Sequence, residues 1–338
     1  MKDRINENEN NNEKKVEKSY WFGDFETCNK EGQEIPFMLC LSNEDGSIKK
    51  TFTGFNCDEQ LMNYLPNNSI IYFHNLGYDG RILMKFGIKN NIMKGSKIIR
   101  QKHIYNGKHI ELRDSYSIFT EKLSNFPACF PNAFKGTDIK KELFPYRYYT
   151  YDRINETQGV GIIDEVGNDE TPKWGKNEKS TFKENLKMIN AEKERGTFDM
   201  FKYCEFYCEQ DVNVLRVGFS AFRSVCLQEP IKMDIYDITT VPSLANKFLN
   251  REVFYPNGNL YEISGSVKEY IMGAIYGGRC MTKNNKRYVV KDKLNDFDAC
   301  SLYPSAMNRL FTIEGKPEII NECLIDNKIY DVNNPTLY

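Results

Sequence analysis

Histidine is scarce in this chain. It has three, His74, His103 and His109, against ten cysteines. The cysteines are scattered. No CxxC pair occurs, and the closest two are Cys204 and Cys208. Without paired thiols beside histidines, the zinc-site reading has no support. No apolar run reaches the roughly 20 residues that cross a bilayer, so no membrane segment is expected. No secretory leader precedes the first ordered segment, so reduced thiols in an intracellular compartment are expected. An excess of one charge is missing as well. With 46 basic and 47 acidic residues the net charge is −1, so nothing pulls the whole molecule toward a polyanion. Contact with nucleic acid must then come from local patches. No internal repeat is visible.

What is present points to two domains. A chain of 338 residues is long for one, and 40% apolar with 13% aromatic residues is enough for packed cores. Residues 1 to 18 are rich in Asn, Glu and Lys and cannot bury enough surface to offset chain entropy, so they read as a disordered leader. A basic run from Lys85 to His109 contains no Asp or Glu. It is either a DNA-facing patch or a solvated face.

Strands are predicted over Tyr20 to Glu26, Phe37 to Leu41, Lys50 to Thr53 and Ser69 to His74. A helix is predicted from Asp58 to Leu65, with Asp58 as its N-cap, and another from Tyr78 to Phe86. Asn106-Gly107 predicts a hairpin between Ile98 to Tyr105 and His109 to Asp114. Residues 152 to 180 read as a surface loop. Helices are predicted over Thr181 to Arg195 and Asp199 to Ser224, with a domain boundary at Glu229-Pro230. Three strands, a helix, a strand and a late helix carrying an acid is the order of a ribonuclease-H-like α/β fold. That gives three expected segments: a leader at 1–18, a ribonuclease-H-like domain at 19–228, and a linker with a second, α+β domain at 229–338.

Four clusters carry the chemistry. Asp24 and Glu26 stand two apart on a strand, so both side chains leave the same face. Two carboxylates that close repel unless a cation lies between them. Asp79 follows a strand end and opens a helix, with Asn75 and Tyr78 just before it. Tyr207 and Asp211 are four apart on a helix and share a face. Each pattern alone is common by chance; together they describe a carboxylate cage suited to two Mg²⁺ or Mn²⁺ ions. Such a pair stabilises the attacking and leaving oxygens of a phosphodiester. The Tyr207 hydroxyl suits an attacking water, and Lys135 is a candidate cation for the developing charge. In the fourth cluster, Asp298 ends a predicted strand and Ser301-Leu302-Tyr303 leads into a helix. An acid there can hold a metal on an incoming triphosphate, and Tyr303 can stack under its sugar. Upstream, Tyr276-Gly277-Gly278-Arg279 joins an aromatic ring and a cation through two flexible residues, which suits single-stranded DNA.

These residues resemble the family B DNA polymerases, and most of all their protein-primed branch. Asp24-Phe25-Glu26, Asn75 through Asp79 and Tyr207 through Asp211 look like its three exonuclease motifs. Asp298 through Ser305 reads as Dx2SLYPS, and Tyr276-Gly277-Gly278 as the YxGG linker. The resemblance covers about residues 19 to 315. It implies a 3′–5′ exonuclease domain followed by the start of a polymerase palm. It implies primer-template DNA, single-stranded 3′ ends and, once a palm is complete, dNTP as substrates, with a terminal protein as primer. It also implies that Ser115, in Asp114-Ser115-Tyr116, contacts the primer end. Lys135, in Phe134-Lys135-Gly136, takes the place of a catalytic lysine, and Ser301, Leu302 and Tyr303 bind the nucleotide. The nucleotide-binding motif B and the YxDTD motif with its second aspartate do not occur before Tyr338. The chain alone is therefore expected not to polymerise. The alternatives are a stand-alone exonuclease, or a catalytically dead module that binds nucleic acid.

Overall fold

The computed structural model describes residues 17–254, 264–275, 283–293, 295 and 299–309, with the backbone of 322–325 and 328–331. They fall into two compact units, Met1–Ala245 and Asn246–Tyr338.

The first unit is built on a mixed sheet. Its strands in chain order are β1 (Ser19–Lys30), β2 (Gln33–Asn43), β3 (Lys49–Thr53), β4 (Ser69–Phe73), β5 (Ile88–Lys94), β6 (Lys97–Tyr105) and β7 (Lys108–Asp114). In space they run β3-β2-β1-β4-β7-β6-β5. β1 pairs parallel with β4, and β4 parallel with β7; the other pairs are antiparallel. This is a ribonuclease-H-like α/β architecture. Between β3 and β4 lies α1 (Cys57–Tyr64), and after β4 comes α2 (Asp79–Leu83). Short helices α3 (Phe126–Cys129) and α4 (Pro131–Phe134) follow β7.

The predicted loop at 152–180 is instead largely structured. It holds α5 (Tyr151–Glu156), β8 (Val160–Ile162) and the start of α6 (Lys176–Met188). β8 joins β9 (Glu192–Lys193) and β10 (Thr197–Asp199) in a small antiparallel sheet ordered β8-β10-β9. These pieces are too short to show a period, but they bury Tyr148, Ile154, Ile163 and Phe198 against Phe182 and Tyr203. The predicted helix at 181–195 accordingly ends at Met188.

The long helix α7 (Met200–Leu227) begins where Asp199 accepts a hydrogen bond from the Lys202 amide. It packs on β1 and β2. Phe22 and Tyr72 on one sheet face meet Val212, Leu215 and Phe219 of α7. Trp21, Phe25, Ile71 and Phe73 point to the opposite face, where α1 covers them with Leu61 and Met62. Successive strand residues thus serve two cores.

Packing does not stop at Glu229-Pro230. Tyr236 stacks on Tyr20 with ring centroids 3.9 Å apart. Its carbonyl accepts from buried Arg113 Nη1 at 2.5 Å. Arg113 also holds Glu111 through Nε at 2.6 Å. A buried guanidinium needs such partners, and they tie residues 235–237 to the sheet. Asp58 does not cap α1. Asn56 is the N-cap, and buried Asp58 pairs with Lys85 at 2.5 Å.

Helix α8 (Val241–Leu249) begins in the first unit, where Leu244 joins the core; the second unit holds α9 (Gly265–Gly273), α10 (Leu302–Met307) and the antiparallel pair β11 (Glu322–Ile325) and β12 (Lys328–Asp331). Ser301 precedes α10 in the left-handed conformation, at φ 53°. Most of the predicted strand Leu294 to Ala299, including Asp298, lies outside the described residues, as do Tyr276, Gly277, Gly278 and Arg279.

Candidate active site

Three parallel strands deliver the site. Phe22 is level with Tyr72, so Asp24 stands beside the end of β4. Phe73 is level with Asp114 at the end of β7. In α/β sheets the carboxyl ends of parallel strands are where ligands bind, because the chain leaves the sheet there and frees its loops. Asp24 and Glu26 share the Phe22 face of β1 and so look toward α7. From α7, Tyr207, Cys208 and Asp211 look back.

The convergence is close. One carboxylate oxygen each of Asp24 and Glu26 and the Cys208 sulfur lie within 4.8 Å of one another. Asp79, buried at the start of α2, accepts the Phe25 amide at 3.3 Å. Asp211 Oδ2 and the Tyr207 hydroxyl both accept from Lys141 Nζ, the latter at 2.6 Å. The Tyr146 hydroxyl lies 2.5 Å from that of Tyr207.

The electrostatics follow from burial. Desolvation, then the charges of Asp211 and Asp79, push the Asp24 carboxyl well above its ordinary range. Burial and Asp24 do the same to Glu26. Burial lifts Asp79 to about 7, although the Phe25 amide pulls the other way. Asp211 is raised by burial in spite of Lys141. Burial opposes the Lys141 ammonium, but Asp211 and Tyr146 outweigh it and its pKa rises. Three buried carboxyls and the half-buried Asp24, all resisting ionisation, with one lysine beside them, form a site short of positive charge. Asp211 Oδ1 is buried with no hydrogen-bond partner among the described residues. The donor set, mostly carboxylate oxygen, fits a hard divalent cation.

Asn75 and Tyr78 sit at the rim. Asn75 is exposed in the left-handed conformation at φ 74°, and Tyr78 is 43% exposed. Buried Asp114 holds this loop, accepting the amides of Asn75 at 3.0 Å and Leu76 at 3.2 Å. Tyr78 bonds Thr27, and a cavity of about 420 Å³ opens between Thr27, Glu34, Tyr78, Tyr146 and Arg147. Ser115 is not at this rim. Its hydroxyl is buried, donating to the Phe73 carbonyl at 2.9 Å beside His74. Ser301, Leu302 and Tyr303 lie in the second unit, Leu302 and Tyr303 in α10.

The structure brings Lys141, not Lys135, to the acids. Lys135 is exposed just after α4. Lys141 lies in a coil that has no period to read, ahead of Phe144, Tyr146 and Tyr149. Those rings anchor the coil, with Phe144 stacked on Tyr207 at 4.5 Å. The aromatic density after Lys141 was the only signal for it. The basic run is mostly paired: Lys85 with Asp58, Lys97 with Asp114, and Arg100 and Lys102 with Glu111. That makes it chiefly a satisfied surface.

The family model for DNA polymerase type B, organellar and viral, matches residues 60–334. No curated protein matches. Solved structures of phi29 DNA polymerase are similar to the chain. One, complexed with primer-template DNA and incoming nucleotide substrates, is 12% identical over 80% of this chain and 41% of that one, with a TM-score of 0.49. Another, complexed with single-stranded DNA, is 14% identical over 79% and 41%, also at 0.49. The chain thus spans about two fifths of the length of that polymerase. Because the family model covers most of its residues, the chain belongs to the type B DNA polymerases of organelles and viruses.

Proposed function

We propose that the first unit is a metal-dependent 3′–5′ exonuclease, serving as the proofreading part of a protein-primed DNA polymerase. One observation carries the reading: Asp24 and Glu26 stand together on β1, Asp211 and Asp79 from distant parts of the chain lie near enough to raise the Asp24 carboxyl, and Lys141 bonds both Asp211 and Tyr207. A purely binding module gains nothing from burying like charges together.

Asp24, Glu26, Asp79 and Asp211 would hold two Mg²⁺ or Mn²⁺ ions. Bound there, the metal supplies charge neutralisation for the scissile phosphate and its leaving oxygen. The chain's own groups do the rest. Tyr207 accepts from Lys141 and lies against Tyr146, so its own proton can turn to a water oxygen and orient it. Lys141 places a fixed cation beside the reacting phosphate, where a water-poor site magnifies its effect. Asn75 and exposed Tyr78 offer an amide and a ring to the terminal nucleotide. In the second unit, Asp298 would hold metal on an incoming dNTP beside Tyr303, and Tyr276 to Arg279 would track the template strand; this rests on motif resemblance. Ser115 as a primer contact and a terminal protein as primer rest on the same ground.

The test is degradation of 5′-labelled single-stranded DNA in Mg²⁺ or Mn²⁺. A ladder shortening from the 3′ end is expected, and its loss in Asp24→Ala/Glu26→Ala with the circular dichroism spectrum kept. Equal degradation by a clean preparation of that variant rejects the assignment.

A further inference from the structure

Within the acid cluster, one donor is out of character. Hard cations take oxygen, and thiol sulfur adds little to Mg²⁺. Yet Cys208 Sγ stands within 4.8 Å of oxygens of both Asp24 and Glu26, and donates to the Asp24 carbonyl at 3.2 Å. It is fully buried, on the turn of α7 between Tyr207 and Asp211. The buried, unpartnered Asp211 Oδ1 is a second observation, since such an oxygen calls for a cation. Two oxygens and one sulfur on a zinc-sized ion stand roughly 3.5 Å apart, so a small side-chain adjustment completes the set.

We propose that Cys208 turns the exonuclease site into a trap for thiophilic divalent ions, with Asp24, Glu26 and the Cys208 sulfur as ligands to Zn²⁺ or Cd²⁺. The inference rests on the exonuclease reading for its consequence, which is inhibition by displacement of the hard ions. On binding, the metal–sulfur bond forms, the S–H bond breaks, and the proton passes to solvent. No change of oxidation state is involved. Selectivity follows from ligand softness: Ca²⁺ and Mg²⁺ ignore sulfur, while Zn²⁺ and Cd²⁺ gain a strong bond.

The direct test is ultraviolet difference spectroscopy of the full chain titrated with Cd²⁺, which reads cadmium–thiolate charge transfer without any DNA. The band of Cys208→Ser is subtracted from that of the wild type, so the other thiols cancel. The expected result is a residual band with a stoichiometry of one ion, lost also in Asp24→Asn/Glu26→Gln, where the thiol is intact. The second variant keeps the test decisive if Cys208→Ser fails to fold. Identical spectra for wild type and Cys208→Ser, or an undiminished band in the double carboxamide variant, overturn the proposal. Mg²⁺-supported DNA degradation by the wild type is run in parallel. Degradation without the residual band sinks the trap alone; the band without degradation sinks the exonuclease reading and leaves the ion site standing.

Discussion

Buried carboxyls at the centre of the site make its stability depend on pH. Asp79 is lifted to about 7, above the unfolded value near 4. A raised carboxyl keeps a proton that the unfolded chain has already released. Its contribution therefore favours folding at low pH and is lost as pH climbs from about 4 to about 7. In the metal-free chain, Asp79→Asn should raise the melting temperature at pH 8, by the equivalent of roughly 1 to 4 kcal/mol. Equal melting of variant and wild type at pH 8 contradicts the burial argument. Lys141 gives a second prediction. Removing one preorganised cation from a reacting charge costs roughly 10²- to 10³-fold in rate. Lys141→Ala should lose about that much in kcat, while Lys135→Ala, at an exposed position, should stay near the wild type. The reverse order in a single-turnover assay would restore Lys135 to the role its motif resemblance implied.

At the scale of elements, α7 is the part on which the site depends, since it carries Tyr207, Cys208 and Asp211 while packing on the sheet. Gly218 shows how tight the helix is. A Cβ there would come within 2.2 Å of the Phe126 ring, which is fully buried. Helix propensity alone would favour Ala by about 1 kcal/mol, but overpacking costs about 1–3 kcal/mol. Gly218→Ala should therefore destabilise, as read by urea denaturation; a gain in stability would mean that Phe126 yields freely. Much of this level was readable in the residues. Short runs of aromatic and β-branched residues placed β1 and β4, Asn106-Gly107 placed the β6–β7 hairpin, and Asp199 started α7. β5 was not readable because Lys89, Asn90 and Asn91 are exposed on a sheet edge and look like a polar run. The segment from α5 to β10 was hidden by elements too short for a period. Lys141 was hidden because coil positions are set by where Phe144 and Tyr149 find their pockets, a tertiary fact. The shared faces of Asp24 with Glu26 and of Tyr207 with Asp211 were legible because alternation on a strand and four-residue spacing on a helix fix the face of a side chain locally.

For the whole molecule, the chain belongs to the type B DNA polymerases, and the proposal is an editing site in the first unit with palm motifs in the second. If Asp298 belongs to a polymerase centre, DNA synthesis should appear when a fragment bearing the YxDTD motif is added, and should vanish again in Asp298→Asn. Synthesis undiminished in that variant would remove Asp298 from the centre. The most direct measurement is a crystal of the chain with Mn²⁺ and a hydrolysis-resistant phosphorothioate strand, read by anomalous scattering. The account predicts manganese peaks among Asp24, Glu26, Asp79 and Asp211, with the strand's 3′ end beside Tyr207 and Lys141. Manganese absent from those carboxylates, with the strand bound elsewhere, would contradict it.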